Sequence, residues 1–299
     1  MILGAVAAAI PLVAAWVGMR EVHRARTERE FDRRHPRGPD GVIVGAEAIT
    51  LAGAAGAPSV LLLHGFGDTP QSLRQLARHL HGALGWTVHA PLLPGHGRDL
   101  RAFARSDARA WLEAARAAMQ ALHSTARPVA LVGQSMGGAL AVRLAAEWPD
   151  VPVMVLLAPY LGMRPRVDRL ARRHRLISLV TAYVNSQADG SIRDPAARAD
   201  SLGYGVTTPR LLYELRAVAR EAWETLPAVR APTLLLQSRE DNRIRPGDAE
   251  RAFARLAADR KELVWTSGNG HVLAVDFGCE GVFRHATDWL TRFARSSDA

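Results

Sequence analysis

Two residue types are nearly absent from this chain of 299 residues, which has one cysteine, Cys279, and one lysine, Lys261. A single cysteine excludes an intrachain disulfide. A reactive cysteine needs a base or an electropositive neighbour, and the sequence around Cys279 offers none, so we interpret it as structural. Hydrophobic residues make up 48% of the chain, which is enough for a large core, and one α/β domain commonly reaches this length.

The positive charge of the chain comes almost entirely from arginine. The net charge is +9, and such a balance can indicate nucleic acid or an anionic membrane as a partner. The arginines are scattered through helical stretches rather than clustered, which favours a solvated surface and predicts no nucleic-acid partner. The sequence also lacks a metal-ligand cluster and a dinucleotide-binding fingerprint, so we expect neither a metal nor a cofactor.

The N-terminal segment is uncharged and is followed by a basic one. Residues 2–19 carry no charged side chain, and seven arginines lie between residues 20 and 37. A bilayer is crossed by about 20 apolar residues, with a minimum near 17, and a secretory signal would have its basic residues before the apolar run. The pattern predicts a membrane anchor at 2–19, a charged linker at 20–40 and a cytoplasmic domain at 41–299. A cleaved signal and a buried alanine-rich helix are the alternatives.

Short apolar runs alternate with segments of helical spacing from residue 41 onward. The segments GVIV and AEAITLA predict an opening antiparallel pair of strands. The apolar runs that follow predict strands at 59–63, 86–90, 128–132, 152–157, 232–237 and 262–265. The alternation predicts an α/β fold with a mostly parallel central sheet and helices on both faces. Residues 160–228 contain no strand-like run and are rich in arginine. We expect a small helical lid there, over the sheet edge where such folds bind ligands.

The most specific motif is GQSMG at residues 133–137, between a predicted strand and a predicted helix. In this context the pattern is typical of the nucleophile elbow of the α/β-hydrolase fold, where a tight turn needs small residues and exposes the serine Oγ. The helix N-terminus behind the turn favours negative charge in the reacting group. The motif therefore predicts Ser135 as a nucleophile. The alternative is a glycine-rich turn that only joins strand to helix.

A serine nucleophile needs a base, and histidine is the expected one. In this fold the chain order is serine, then acid, then histidine. Three histidines follow Ser135. His174 falls in the insertion and His285 within the last helix, whereas His271 lies in a turn-rich loop just after a predicted strand. We therefore predict His271 as the base.

The acid and the oxyanion donors should follow two other strands. Glu240 and Asp241 both lie in the loop after the strand PTLLLQ, and spacing does not separate them as partners of the histidine. The segment HGFG follows the strand SVLLL directly. The backbone N–H groups of Phe66 and of Met136, the residue after the nucleophile, would form an oxyanion hole. We interpret His64 as a structural hydrogen-bonding residue.

Together these motifs resemble bacterial carboxylesterases and monoacylglycerol lipases of the α/β-hydrolase superfamily. The similarity is spread over residues 59–293 and lies in the segments LLLHGFGDTPQSLRQLARHL, APLLPGHG, GQSMGG, APTLLLQSREDNRIRP and SGNGHVLAVD. The resemblance implies a triad of Ser135, Asp241 and His271, which selects Asp241 as the acid, with Phe66 and Met136 at the oxyanion hole. It also implies that the insertion shapes an acyl pocket and that no cofactor is needed.

These expectations predict a serine ester hydrolase that acts through an acyl-enzyme on Ser135. The substrate class is a monoacylglycerol-like ester or an ester of a short to medium acyl chain, and the sequence does not indicate the oligomeric state. Because one fold hosts many reactions, thioesterase, amidase or peptidase, and perhydrolase or acyltransferase activities on the same triad are alternatives. A membrane-tethered lipid-binding protein without catalysis is the alternative of a different class.

Overall fold

The computed structural model describes residues 2–125, 128–186 and 190–294, with side chains from residue 15 to residue 293 of those ranges. The described residues leave out Met1, residues 126, 127 and 295–299 of the predicted domain, and residues 187–189 of the predicted insertion. The strands are β1 (Ile49–Leu51), β2 (Ser59–Leu63), β3 (Thr87–Ala90), β4 (Val129–Gln134), β5 (Met154–Leu157), β6 (Val184–Asn185), β7 (Val206–Thr207), β8 (Thr233–Ser238) and β9 (Lys261–Thr266).

The helices follow the strands in alternation. They are α1 (Ile2–Arg34), α2 (Arg74–Leu84), α3 (Leu100–Arg105), α4 (Ala108–Thr125), α5 (Met136–Glu147), α6 (Pro165–Arg172), α7 (His174–Val180), α8 (Pro195–Ala199), α9 (Pro209–Thr225), α10 (Pro246–Arg255) and α11 (Cys279–Ala294). Short 3-10 helices lie at Pro70–Leu73 and Leu226–Ala228.

Seven strands form one sheet in the order β1-β3-β2-β4-β5-β8-β9. Every neighbouring pair is parallel except β1 with β3 at one edge. The alternating pattern of the sequence predicted this architecture, and the prediction of a mostly parallel α/β sheet is confirmed. One edge of the sheet therefore carries the carboxyl ends of β2, β4, β5, β8 and β9, and the loops after these strands can meet there.

The core lies on both faces of the sheet, because side chains alternate along each strand. In β2, Val60 and Leu62 pack with the apolar faces of α2 and α11. Leu61 and Leu63 point the other way and pack with α4, α5 and α9. All five residues of β2 are buried, as expected for a central strand of a parallel sheet.

The insertion between β5 and β8 is mainly helical, as predicted. It contains α6, α7 and α8, and also a small antiparallel pair of β6 with β7. This pair could not be predicted, because strands of two residues are too short for an alternating pattern. The long helix α9 returns to the body of the domain and buries Leu211, Leu215 and Val218 in the core beside α5.

The prediction of a membrane anchor in the N-terminal segment has to be corrected. In the part of the chain that the structure describes, no helix has the length and apolarity required to cross a bilayer. The predicted anchor at 2–19, the membrane partner and the membrane localisation derived from it are therefore wrong. Instead, α1 continues from residue 2 into the charged segment as far as Arg34. Its last turns pack on the domain, where Phe31 is 1% exposed and its ring contacts those of His35 and Tyr204.

Candidate active site

Ser135 lies in the turn between β4 and α5. Its φ angle is 55° and its ψ angle is −117°, a backbone conformation that is strained for a residue with a side chain. The turn is too tight for larger neighbours. A Cβ added at Gly137 would lie 1.9 Å from the carbonyl oxygen of Leu63, and one added at Gly133 would lie 2.3 Å from that of Gly137. The glycines of the motif therefore allow the close approach of strand, turn and helix that holds the serine at the sheet edge.

The structure brings Ser135 together with His271 and Asp241. The Nε2 atom of His271 lies 2.8 Å from the Oγ of Ser135, and its Nδ1 lies 2.8 Å from the Oδ2 of Asp241. The three residues are buried, at 8%, 6% and 5% exposure respectively. The order serine, imidazole, carboxylate is the geometry that lets a histidine accept the proton of a serine hydroxyl.

Asp241 is held as a carboxylate by its neighbours. Burial raises its pKa, but the nearby His271 and the backbone N–H groups of Ile244 and Arg243 outweigh this effect and keep the pKa below its ordinary value. The Nε2 of Gln237 also donates to its Oδ2 at 2.8 Å. The other acid that spacing allowed, Glu240, points elsewhere and accepts a hydrogen bond from the N–H of Gly268.

The loop that carries His271, residues 267–278, is the histidine loop. It is held by polar contacts that sequence reasoning missed. The Nε2 of Gln134, inside the elbow motif, donates to the carbonyl of His271 at 3.0 Å. The N–H of His271 donates to the carbonyl of Ser191 in the insertion at 2.9 Å. The loop also packs against the insertion, since a Cβ at Gly270 would lie 2.1 Å from the carbonyl oxygen of Gly190. Gly270 was visible in the sequence, but its close partner was not.

Asp276 is the second missed residue, and it joins the histidine loop to the insertion. Its carboxylate, 1% exposed, accepts hydrogen bonds from the backbone N–H groups of Gly270, Arg193, Asp194 and Phe277 at 2.6–2.8 Å. The only signal in the sequence was its place at the end of the segment SGNGHVLAVD. A buried carboxylate with four donors rigidifies the two segments that it joins.

The loop after β2 runs beside the serine. A Cβ added at Gly65 would lie 3.4 Å from the Cβ of Ser135, and Phe66 is the next residue of the chain. Met136 is the first residue of α5, and the N–H groups of a first helical turn have no acceptor within the helix. The predicted oxyanion residues therefore lie on the two segments next to the serine.

Two buried histidines support this loop. His64 donates from Nδ1 to the carbonyl of Gly65 and accepts at Nε2 the N–H of Leu93. Burial lowers its pKa to about 4, so it is neutral and structural. The Nε2 of His96, in the Gly-His-Gly segment, accepts the N–H of Gly67 at 3.1 Å. The conformation of the loop thus depends on both imidazoles.

A cavity of about 570 Å³ opens onto Ser135 and His271, a size typical of small-molecule sites. Its walls come from the loop after β2, the elbow, the insertion, the acid loop (residues 239–245, which carry Asp241), the histidine loop and the end of α1. The apolar wall includes Phe66, Ile192, Leu202, Leu215, Val272 and Val275, and the polar wall includes Arg34, His35, Asp68, Tyr160, Arg198 and Arg243. The insertion therefore contributes part of the cavity wall.

Asp68 gives the cavity an unusual carboxyl group. Burial raises its pKa to about 6, although the hydroxyl of Ser72 donates to it at 2.6 Å and the N–H of Thr69 at 2.8 Å. The nearby His271 lowers the pKa only in part. Within the described ranges, no group of three or more histidine, cysteine or acidic side chains is arranged to hold a metal ion.

Comparisons with known proteins identify relatives among lipases and esterases. A family model described as serine aminopeptidase, S33, matches residues 56–277. A thermostable monoacylglycerol lipase of Bacillus sp. (strain H-257) is 26% identical over 239 residues, which are 80% of this chain and 92% of that protein. A carboxylesterase of Bacillus subtilis (strain 168) is 24% identical over 74% of this chain and 87% of its own length. A solved structure from work on the metagenome-derived lipolytic enzymes LipS and LipT is 29% identical, with a TM-score of 0.76, and covers 84% of this chain and 99% of that one.

Proposed function

This chain belongs to the α/β-hydrolase family described as serine aminopeptidase, S33, and on that premise we propose that it hydrolyses carboxylic esters through an acyl-enzyme on Ser135. The resemblance to carboxylesterases and monoacylglycerol lipases is confirmed, and the chain is a lipase- or esterase-like hydrolase. One observation carries the mechanistic proposal. Ser135, His271 and Asp241 form an unbroken series of hydrogen bonds at the sheet edge.

The first step forms the acyl-enzyme. The Oγ of Ser135 attacks the ester carbonyl carbon while the Nε2 of His271 takes the hydroxyl proton. The carbonyl oxygen becomes an oxyanion, which the N–H groups of Phe66 and Met136 stabilise, each by about 3–4 kcal/mol. The C–O bond to the alcohol then breaks, and His271 returns its proton to the leaving oxygen.

The second step releases the acid. Water donates a proton to the Nε2 of His271 and attacks the acyl carbon. The new tetrahedral intermediate expels the Oγ of Ser135, which recovers the proton. Asp241 remains ionised, fixes the tautomer of the imidazole and stabilises the imidazolium formed in each half of the cycle.

The substrate proposed is a monoacylglycerol-like ester or another ester of a short to medium acyl chain. Two relatives carry the names of a monoacylglycerol lipase and a carboxylesterase. The apolar side chains of the cavity, including Phe66, Ile192 and Leu202, suit an acyl chain, whereas the polar wall suits the alcohol part.

The test is an assay of the full chain with p-nitrophenyl esters and monoacylglycerols of increasing acyl length, beside Ser135→Ala. We expect hydrolysis of both classes and a loss of at least about a thousandfold in the variant. A fluorophosphonate probe should label the wild-type protein and not the variant. A folded protein that turns over no ester and does not label would contradict the proposal and favour the lipid-binding alternative.

A second candidate, hydrolysis of an amide or peptide bond, is favoured by the family's description as a serine aminopeptidase. An aminopeptidase has to bind a free ammonium group, and the carboxyl group of Asp68 lines the cavity. Amino-acid p-nitroanilides in the same assay decide between the two. A kcat/KM for anilides above that for esters would replace the ester proposal.

A further inference from the structure

Arg243 lines the active-site cavity, and its guanidinium contacts two further lining residues, Ser186 and Ser191. It lies two residues after the proposed acid, and its backbone N–H donates to the Oδ1 of Asp241 at 2.6 Å. Its side chain reaches the insertion, where Nε donates to the Oγ of Ser191 at 3.1 Å and Nη2 donates to the carbonyl of Ser186. These two bonds use two of the five N–H donors of the guanidinium.

No carboxylate in the described ranges 15–125, 128–186 and 190–293 forms an ion pair with Arg243. The carboxylate next to it in the chain, Asp241, is already occupied. Its Oδ1 accepts two backbone N–H groups, and its Oδ2 accepts the side chains of His271 and Gln237. The neighbouring arginine on the outside of the domain differs, since Arg245 forms a bidentate pair with Asp248.

The environment of Arg243 disfavours its charge. Burial lowers the pKa of its guanidinium, and although Tyr160 and Asp241 oppose this effect, Arg164 adds to it. Arginine stays protonated in proteins, so the positive charge persists at a half-buried position without an ion-pair partner. Such a charge is costly, and an anionic group in the cavity would remove the cost.

We propose that Arg243 is a specificity-determining residue that recognises an anionic oxygen group, a carboxylate or a phosphate, on the substrate ester. The inference rests on the proposed ester hydrolysis and narrows its substrate class to esters that carry such a group. The planar guanidinium suits two parallel hydrogen bonds to carboxylate or phosphate oxygens.

The rest of the cavity wall is compatible with an anion near Arg243. Two further lining arginines are exposed, Arg198 and Arg34, of which Arg34 pairs with Glu30 at 3.6 Å. The acidic lining residues are Asp68 and Asp200. Asp68 already accepts two hydrogen bonds, and its raised pKa reduces its negative charge near pH 6.

A purely structural role for Arg243 is the competing explanation, because its two side-chain bonds also fix the insertion to the acid loop. The two roles differ in what they predict for substrates. A structural residue affects neutral and anionic esters equally, whereas an anion-recognising residue affects the anionic ester more. The ratio of the two kcat/KM values therefore separates them.

The experiment uses matched ester pairs with the full-length wild-type protein, Arg243→Gln, Arg243→Lys and Arg245→Gln. One pair places the anion on the acyl side, p-nitrophenyl hexanoate against the mono-p-nitrophenyl ester of adipic acid. The other pair places it on the alcohol side, octanoyl glycerol against its phosphate monoester. Arg245→Gln removes the same charge outside the cavity and is the matched control.

In at least one pair, we expect the wild-type protein to prefer the anionic ester and Arg243→Gln to lower the anionic-to-neutral ratio by about tenfold to about a hundredfold. Arg243→Lys should recover part of the ratio, and Arg245→Gln should leave it unchanged. The pair that responds identifies the side of the ester that carries the anion. An unchanged ratio in Arg243→Gln for both pairs would overturn this inference alone, whereas a wild-type protein that hydrolyses none of the four esters would overturn the proposed function.

Discussion

Replacing Asp276 by asparagine tests how the histidine loop is held in place. The buried carboxylate accepts the N–H groups of Gly270 and Arg193 at Oδ2 and those of Asp194 and Phe277 at Oδ1. Asparagine has nearly the same shape but only one acceptor oxygen. Whichever way the amide turns, its NH2 group faces two backbone donors that have lost their acceptor.

The expected loss of stability follows from the two hydrogen bonds that the variant cannot form. Two hydrogen bonds to a charged acceptor are worth about 1.5–3 kcal/mol each, and relaxation of the loop recovers part of that sum, so we expect a loss of about 2–4 kcal/mol in the free energy of unfolding. In a domain of this size 1 kcal/mol corresponds to about 2–4 °C in Tm, which gives a fall of about 5–15 °C. Gly270 immediately precedes His271, so displacement of the loop should lower kcat more than it raises KM.

The measurement combines thermal unfolding with steady-state kinetics on a p-nitrophenyl ester. Asp288→Asn on the exposed side of α11 is the matched control, because it removes the same charge from the surface, and we expect both Tm and kcat to stay near the wild-type values. If Asp276→Asn also keeps its Tm and kcat, the carboxylate does not hold the loop and the reasoning is refuted.

Three further predictions concern other parts of the site. Asp241→Asn should lower kcat by about ten-thousandfold, whereas Glu240→Gln should lower kcat only slightly. Equal losses of kcat in the two variants would contradict the assignment of Asp241 as the acid. The pKa of Asp68 is raised in the folded state to about 6, so its contribution to stability is favourable at low pH and is lost as pH rises through about 4 to 6. Asp68→Asn should therefore raise Tm relative to the wild type more at pH 8 than at pH 4, and a difference in Tm that is independent of pH would count against this. Phe31→Ala should destabilise the protein by about 3–5 kcal/mol. It should also lower activity, because Phe31 packs on Tyr204 beside the cavity. A Tm equal to that of the wild type would show that α1 does not pack as described.

The sheet and the elbow could be predicted because their signals are local. The six apolar runs predicted as strands of the sheet all form strands, with no end shifted by more than two residues, since a buried strand needs a continuous apolar segment. The glycines around Ser135 could be recognised because a tight turn leaves no room for side chains. His271 followed from chain order, and the structure places it beside Ser135.

Contacts between distant segments could not be predicted in the same way. The opening segments GVIV and AEAITLA were expected to pair with each other, but β1 pairs with β3 instead, and Ile43 forms only an isolated bridge with Arg37. The choice between two apolar partners depends on packing that no local pattern records. Asp276 was missed for the same reason, because two of its four donors belong to the insertion.

The insertion contacts both halves of the site, and this limits how the cavity can open. On one side, the carbonyl of Ser191 accepts the N–H of His271, which positions the base. On the other side, the N–H of Tyr204 donates to the carbonyl of Gly67 at 2.8 Å, next to the predicted oxyanion donor. Movement of either contact would disturb catalysis. Between them lies α8, which buries no side chain and is joined to the loop after β2 by one exposed bond from the Nε2 of Gln71 to the carbonyl of Asp200. The two backbone N–H groups just before α8, those of Arg193 and Asp194, also bind the carboxylate of Asp276, so α8 is joined to the loop that carries His271 as well, and the insertion holds the site on both sides.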